Sequence, residues 1–345
     1  AIATFDAHQE AKDLLLLHPN YYGVGIDINR IAEVAHERHM LVLVDEAHGP
    51  HLVSSLGMPV PALASGADLV AQSTHKLLGS LTQTSMLHGQ GSRIDVDRIQ
   101  RLQQILMSTS PNYIFLASLD MARHQWVTEG QSLMKDTLEL ACTLRRALNE
   151  IPGIASPSVE DIEGAFSLDE TKIIIDAKNL GLTAQELERE LRARHIEVEL
   201  MKAYHVLLLI TIGDTDTSIQ QVIDAVQDIS DLYRHRIESI TNSIDFYAST
   251  VETLPTPIVA LSPRQAFYTE MEEIPLPQAL GRISGETITY YPPGIPCLGV
   301  GETITEEVLA YMKQKQSDGY VPNGARDRQL QTILVCKDRE IEVRY

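Results

Sequence analysis

The stretch that decides the fold is 41–76, LVLVDEAHGPHLVSSLGMPVPALASGADLVAQSTHK. It holds two short apolar runs, Leu41–Val44 and Ala67–Gln72, and each stops at a polar cluster. The first ends in Asp45-Glu46-Ala47-His48-Gly49, the second in Ser73-Thr74-His75-Lys76. Continuous apolar runs of this length predict strands buried on both faces. Leu14–Leu17 is a similar run upstream, and Thr82–Leu87 is a candidate fourth strand. Between them, Asp27 is placed to cap a helix with Ile28, Ile31, Val34 and Ala35 on one face. Buried strands separated by helices predict an α/β fold, a mainly parallel sheet with helices on both faces. Ligands of such sheets bind beyond the carboxyl ends of the strands. Both polar clusters lie at such ends.

Downstream, Ile94–Ile151 has a mostly helical pattern, broken at Ser110-Pro111. The character changes after Pro152. Lys172–Asp176 and Val206–Ile212 predict strands; Thr183–Arg194 and Ser218–Arg236 predict helices. Thr183, with Glu186 three residues on, has the form of a capping box. The segment from Glu252 to Gly301 is rich in proline but interspersed with apolar residues, which predicts ordered irregular structure. The expected division is 1–150 for part of a large domain, 151–250 for a small α/β domain and 251–345 for a C-terminal α+β domain.

The bulk numbers narrow the class. A formal charge of −19 over 345 residues opposes binding to nucleic acid or to anionic membrane surfaces. No apolar run approaches the length that spans a bilayer. Three scattered cysteines, Cys142, Cys297 and Cys336, fit a reducing, cytoplasmic compartment. The first residue is Ala and the chain enters almost directly into a strand, which reads as the interior of a larger protein.

The two polar clusters suit pyridoxal 5′-phosphate (PLP) chemistry. Such a site needs a lysine that condenses with the cofactor aldehyde, and Lys76 fits. It needs a carboxylate that keeps the pyridine nitrogen protonated, and Asp45 fits. A carboxylate ending a buried strand is costly unless paired, and a pyridinium proton is a suitable partner. His48 is placed to reach the phenolic oxygen, and Ala47 is small enough to lie flat against the ring. Ser73 and His75 flank Lys76 and can donate to the phosphate. Asp-Glu-Ala-His after a strand also occurs in nucleotide-driven helicases, where it holds magnesium; no Gly-x-x-x-x-Gly-Lys-Ser/Thr loop accompanies it here. His48 and His51 lack the partners that would complete a metal site.

Five stretches carry a resemblance: HPNYYG (18–23), VDEAHGPH (44–51), STHKLLGSLTQTSML (73–87), TSPNYIFLASLDMAR (109–123) and GRISGETITYYPPGIPCLGVGETIT (281–305). Together they resemble the bacterial ornithine/lysine/arginine decarboxylases of the aspartate-aminotransferase fold (fold type I), in the same order along nearly the whole chain. The Tyr-Pro-Pro-Gly-Ile-Pro stretch is the most specific, because generic PLP enzymes lack it. The resemblance implies that Lys76 is the Schiff-base lysine and Asp45 the partner of the ring nitrogen. It implies that His48 lies by the phenolic oxygen, that Ala47 lies under the ring, and that Ser73 and His75 hold the phosphate. Thr109 and Ser110 are implied at a dimer interface, near the phosphate of the partner subunit. On the bare sequence a lesser alternative is that they simply cap the following helix. Glu286 is implied near the distal cationic end of the substrate.

The reaction so implied is decarboxylation of a basic amino acid to a polyamine precursor in a homodimer or higher homo-oligomer, with arginine favoured over lysine or ornithine. Members of the family begin with roughly 130 further residues, including a glycine-rich phosphate turn, so the chain reads as N-terminally truncated. Gly299-Val300-Gly301-Glu302 stands where the family more usually has Pro-Gly-Glu. Two other readings stay open. One is a PLP-dependent acyl-transfer synthase, which shares the Asp-Glu-Ala-His cluster. The other is an inactive fragment acting as a subunit or binding protein.

Overall fold

Leu41–Asp45 lies inside a four-stranded sheet whose construction sets up everything near it. The computed structural model describes residues 8, 10–54, 57–202, 204–237, 254–291 and 294–337. These fall into two compact units, Ala1–Asn242 and Ser243–Tyr345.

In the first unit, β1 (Asp13–Leu17), β2 (Val24–Gly25), α1 (Ile28–Glu37) and β3 (Leu41–Asp45) lead to β4 (Leu69–Gln72). The short helix α2 (Thr74–Leu77) and β5 (Met86–Gly89) follow. The sheet order is β1-β3-β4-β5. The first three strands are parallel and β5 is antiparallel, with Leu17 opposite Asp45 and Asp45 opposite Ala71. The fourth strand thus begins four residues later than Thr82, because Leu81 to Thr84 form a turn closed by Thr84 N–H donating to the Leu81 carbonyl at 3.2 Å.

Helix α1 forms where expected. The Asp27 carboxylate accepts from Arg30 N at 3.0 Å, which satisfies one of the orphan amides of the first turn. Its apolar stripe, Ile28, Ala32 and Ala35, packs on Val42, Val44 and Val70. The opposite face of the sheet is open: Leu15 is 72% exposed, and Leu17 and Leu87 are also exposed. Strands buried on both faces were expected, and here the period-two alternation buries one face only.

Two helices follow, α3 (Val96–Leu106) and the 38-residue α4 (Tyr113–Glu150). The cap of α4 is Asn112, whose side chain accepts from Ile114 N and Phe115 N, so Thr109 and Ser110 do not cap it. The distal part of α4, with Ala141, Leu144 and Leu148, joins a second core. That core fills the space around an antiparallel sheet ordered β7-β9-β8. In chain order the elements are β6 (Ser167–Leu168), β7 (Lys172–Asp176), α5 (Ala184–Arg192), β8 (Leu200–Lys202), β9 (His205–Leu209) and α6 (Asp216–Tyr233). The Thr183–Glu186 capping box is present at α5. We propose that the division at about residue 150 holds inside this unit, on the strength of the separate cores of the two sheets.

One short connection matters for the site. β2 pairs antiparallel with β6, and Asp169 N donates to the Gly23 carbonyl at 2.8 Å. This ties the loop after β1 to the segment carrying Asp169 and Lys172. Gly23 has φ +86°, and a Cβ on it would meet Lys172 Cγ at 2.7 Å. Only glycine allows both the turn and the approach.

The second unit contains α7 (Pro263–Phe267), β10 (Met271–Pro275), β11 (Ile288–Thr289), β12 (Pro296–Leu298), α8 (Glu306–Ser317) and β13 (Thr332–Cys336). β10 pairs with β13 and β11 with β12, both antiparallel. Ile288, Tyr290, Leu298, Ile304, Val308, Met312, Ile333 and Val335 share its core. The proline-rich segment is therefore ordered over its described residues. Pro292 and Pro293 of the Tyr-Pro-Pro-Gly-Ile-Pro stretch, and the expected boundary near residue 250, lie outside the described residues.

Candidate active site

The open face of the first sheet and the ends of β3 and β4 enclose a cleft of about 630 Å³. Asp45, Ala47, Ser73, Lys76 and Ser85 line it, with Leu15, Leu43, Leu69, Ala71 and Leu87 supplying apolar walls. The pleat explains the sorting. Leu43 and Asp45 point to the open face; Val42, Val44 and Glu46 point to the α1 side. Asp45 is exposed, not buried as its position at a strand end suggested, and its carboxylate accepts from Ala47 N at 2.9 Å. The buried carboxylate is its neighbour. Glu46 is fully buried, accepting from Ala62 N at 2.7 Å and Gln72 Nε2 at 2.6 Å. Burial pushes the Glu46 carboxyl up, and the two hydrogen bonds only partly oppose that.

Lys76 sits on α2, and its Nζ lies 3.1 Å from His48 Nε2. His48 is buried, its ring 4.4 Å from that of Tyr21. On its other side, His48 Nδ1 lies 3.2 Å from Lys172 Nζ. Burial, then Lys172 and Lys76, push His48 down to about 3, so it is neutral at pH 7. Lys172 is 1% exposed; burial, helped by nearby Lys76, holds its amine below the ordinary lysine range, and Asp169 and Glu199 only partly oppose this. Asp169 accepts from Thr171 N at 3.0 Å and Thr171 Oγ1 at 2.6 Å, and His51 Nε2 lies 3.0 Å away. Burial would raise Asp169, but His51, Lys172 and Thr171 outweigh it and the carboxyl stays below its ordinary range.

The remaining expected residues fall elsewhere. His75 turns away from the cleft lining, its Nδ1 2.6 Å from the Thr84 carbonyl. Thr109 and Ser110 are exposed in the connection between α3 and α4 and do not line the cleft. Glu286 belongs to the second unit, where its carboxylate accepts from Arg326 N at 2.8 Å and Leu334 N at 3.2 Å. Both oxygens thus brace a loop and a strand. Lys172, Asp169 and Tyr21 were not singled out from the sequence. Lys172 is 124 residues from His48, and no local pattern marks such a contact. The one available signal was a lysine opening an otherwise apolar strand, Lys172-Ile173-Ile174-Ile175.

The family profile described as Orn/Lys/Arg decarboxylase, major domain, matches residues 2–164, and that family's C-terminal domain matches residues 246–321. An arginine decarboxylase of Bacillus anthracis is 40% identical over 96% of this chain and 67% of its own length. One of Bacillus subtilis is also 40% identical, over 96% of this chain and 67% of its length.

The chain belongs to the Orn/Lys/Arg decarboxylase family.

Lysine decarboxylase A from Pseudomonas aeruginosa superposes with a TM-score of 0.75 at 20% identity, over 95% of this chain and 58% of that one. The likeness fixes the fold: a fold type I large domain with a mainly parallel sheet, followed by smaller α+β parts. The chain spans about two thirds of the length of these curated relatives and 58% of the solved chain. Among the described residues, no cluster of three or more His, Cys, Asp or Glu is arranged to hold a metal ion. No helix among them is long and apolar enough to cross a membrane.

Proposed function

We propose that this chain carries the lysine-bearing part of a PLP-dependent decarboxylase acting on a basic amino acid, arginine before lysine or ornithine. The observation that carries the reading is the shared lining of one cleft by Lys76, Asp45, Ala47 and Ser73. That donor set fits PLP: an amine for the aldehyde, a carboxylate for the ring nitrogen, a methyl group against the ring and a hydroxyl toward the phosphate. Membership of the family supports it, as do relatives named for arginine. Bound there, PLP supplies an electron sink that lets an α-carboxylate depart as carbon dioxide.

The chain's own residues do the rest. Asp45, on the open face, holds a proton at the ring nitrogen. Lys76 presents Nζ to the cleft and afterwards delivers or removes a proton at the substrate carbon. His48 holds Lys76 Nζ from the buried side. Leu15, Leu43, Leu69 and Leu87 give the cleft one apolar wall. Thr109 and Ser110 serve at the interface of a homodimer, where the exposed apolar residues of α3 and α4 would be covered. Glu286 keeps only its proposed place near the substrate's distal end, and its two backbone bonds weigh against that role. A cytoplasmic location follows from the same reading.

The test is direct. The protein, supplied with PLP, is incubated in turn with arginine, lysine and ornithine, and carbon dioxide and the amine product are measured. Release from arginine ahead of the other two is expected. Condensed ketone products instead of carbon dioxide and an amine would overturn the reading in favour of an acyl-transfer synthase.

A further inference from the structure

Both ring nitrogens of His48 face lysine amines, Lys76 at Nε2 and Lys172 at Nδ1. A neutral imidazole offers one N–H and one lone pair, and an ammonium group can only donate. His48 can therefore accept from one charged lysine and no more. For the other lysine also to hydrogen-bond the ring, it has to be a free amine that accepts the imidazole N–H. A doubly protonated His48 between two lysines is opposed by its burial.

The far end of the network decides which lysine is which. Asp169 is fully buried beside His51 Nε2. The other nitrogen of His51, Nδ1, is buried and has no hydrogen-bond partner among the described residues. A charged His51 would bury a cationic N–H with nothing to receive it, whereas neutral His51 leaves only a lone pair unmet. Neutral His51 donates from Nε2 and leaves Asp169 as an anion needing a counter-charge. Lys172, packed with Asp169 against Gly23, is placed to supply it although burial opposes its charge, and exposed Glu199, which accepts from the Tyr21 hydroxyl, adds a second negative charge near it.

We propose that Lys172, kept charged by Asp169, donates to His48 Nδ1, fixes His48 as the Nε2–H tautomer, and thereby holds Lys76 Nζ as a free amine. Lys172 and Asp169 are positioning residues, acting on Lys76 through His48. The significance of the relay rests on the reading of Lys76 as the cofactor lysine. A free amine is the form that attacks an aldehyde and accepts a proton; an ammonium group does neither. Gly23 is part of the device, because any side chain there would displace Lys172.

The first test needs no mutation of the network. Long-range proton–nitrogen NMR of the full chain labelled with ¹⁵N-histidine, at pH 7, reads each tautomer, with His48 assigned by the signal missing in His48→Gln. A neutral His48 protonated on Nε2 is expected. Protonation on Nδ1, or on both nitrogens, overturns the proposal. The second test follows acetylation of Lys76 by acetic anhydride across pH, read by peptide mass spectrometry. Lys172→Met should move the midpoint up by about one pH unit or more, and Lys172→Arg, which keeps the charge, should restore it. An unmoved midpoint in folded Lys172→Met overturns the proposal. Where Lys172→Met does not fold, the tautomer of the wild-type chain decides. PLP attachment at Lys76 with the wrong tautomer defeats only the relay; the right tautomer without attachment at Lys76 defeats only the cofactor reading.

Discussion

Asp45 and Glu46 are adjacent in the chain, and the pleat sends them to opposite environments. Asp45 faces the cleft, and Glu46 is buried against Ala62 and Gln72. Asp45→Asn should lower decarboxylation on the order of 100-fold, the usual cost of losing a preorganised charge at a reacting centre. The steady-state rate with arginine checks this, and a loss below about 3-fold would remove Asp45 from the role. His48 carries a pH signature of its own. Its folded value, about 3, lies below the unfolded value of 6.5, so folding favours the neutral ring. That contribution is fully present above pH 6.5 and is lost as pH falls from there toward about 3. Urea titrations at pH 7, 6 and 5 should show stability falling toward about 1.4 kcal/mol per pH unit below the unfolded value from this group. The fall should be smaller in His48→Gln by this group's share, the rest coming from His18, His88 and His205, which burial also lowers. That Lys76, Asp45, Ala47 and Ser73 share one cleft was legible in the sequence, because strand ends project neighbouring side chains to the same place. The same sequence carries no sign of Lys172 or Asp169, because their link to His48 runs through tertiary contacts that no period or spacing encodes.

At the scale of elements, local chemistry accounts for most of what could be foreseen. Asp27 and the Thr183–Glu186 pair cap their helices through short-range bonds written into adjacent residues. The alternative that Thr109 and Ser110 cap α4 does not hold, since Ser110 and Asn112 have similar capping chemistry and only the backbone path selects Asn112. Asn112→Ala should cost about 1 kcal/mol, measured by thermal or urea unfolding. The β2–β6 pairing is two residues long and could not be foreseen, yet it carries Asp169 and Lys172 to His48. Gly23→Ala combines a positive φ with a close approach to Lys172. It should destabilise the chain by about 1–3 kcal/mol and disturb Lys76 reactivity as Lys172→Met does. Stability and Lys76 labelling both near wild type would show that the turn does not hold the network.

At the scale of the molecule, an unusual amount of apolar surface is exposed along α3 and α4. Leu106 is 80%, Met121 70% and Val127 75% exposed, in a helix pair whose tip carries Thr109 and Ser110. A surface of this kind marks an interaction site. The family reading assigns it to a second copy of the chain, so light scattering after size exclusion should give at least twice 38.3 kDa. Met121→Glu with Val127→Glu should shift that mass toward the monomer. A monomeric wild-type chain would remove the homodimer from the reading. The formal charge of −19 opposes binding to nucleic acid and suits a cationic substrate without selecting among arginine, lysine and ornithine.

The measurement to make first is the absorption spectrum of the purified chain with PLP, before and after borohydride, followed by peptide mapping. A pyridoxyl group fixed on Lys76, and lost in Lys76→Ala, is the predicted result. A group fixed on Lys172 or spread over surface lysines, with Lys76→Ala behaving as wild type, would contradict the assignment of the cleft as the cofactor site.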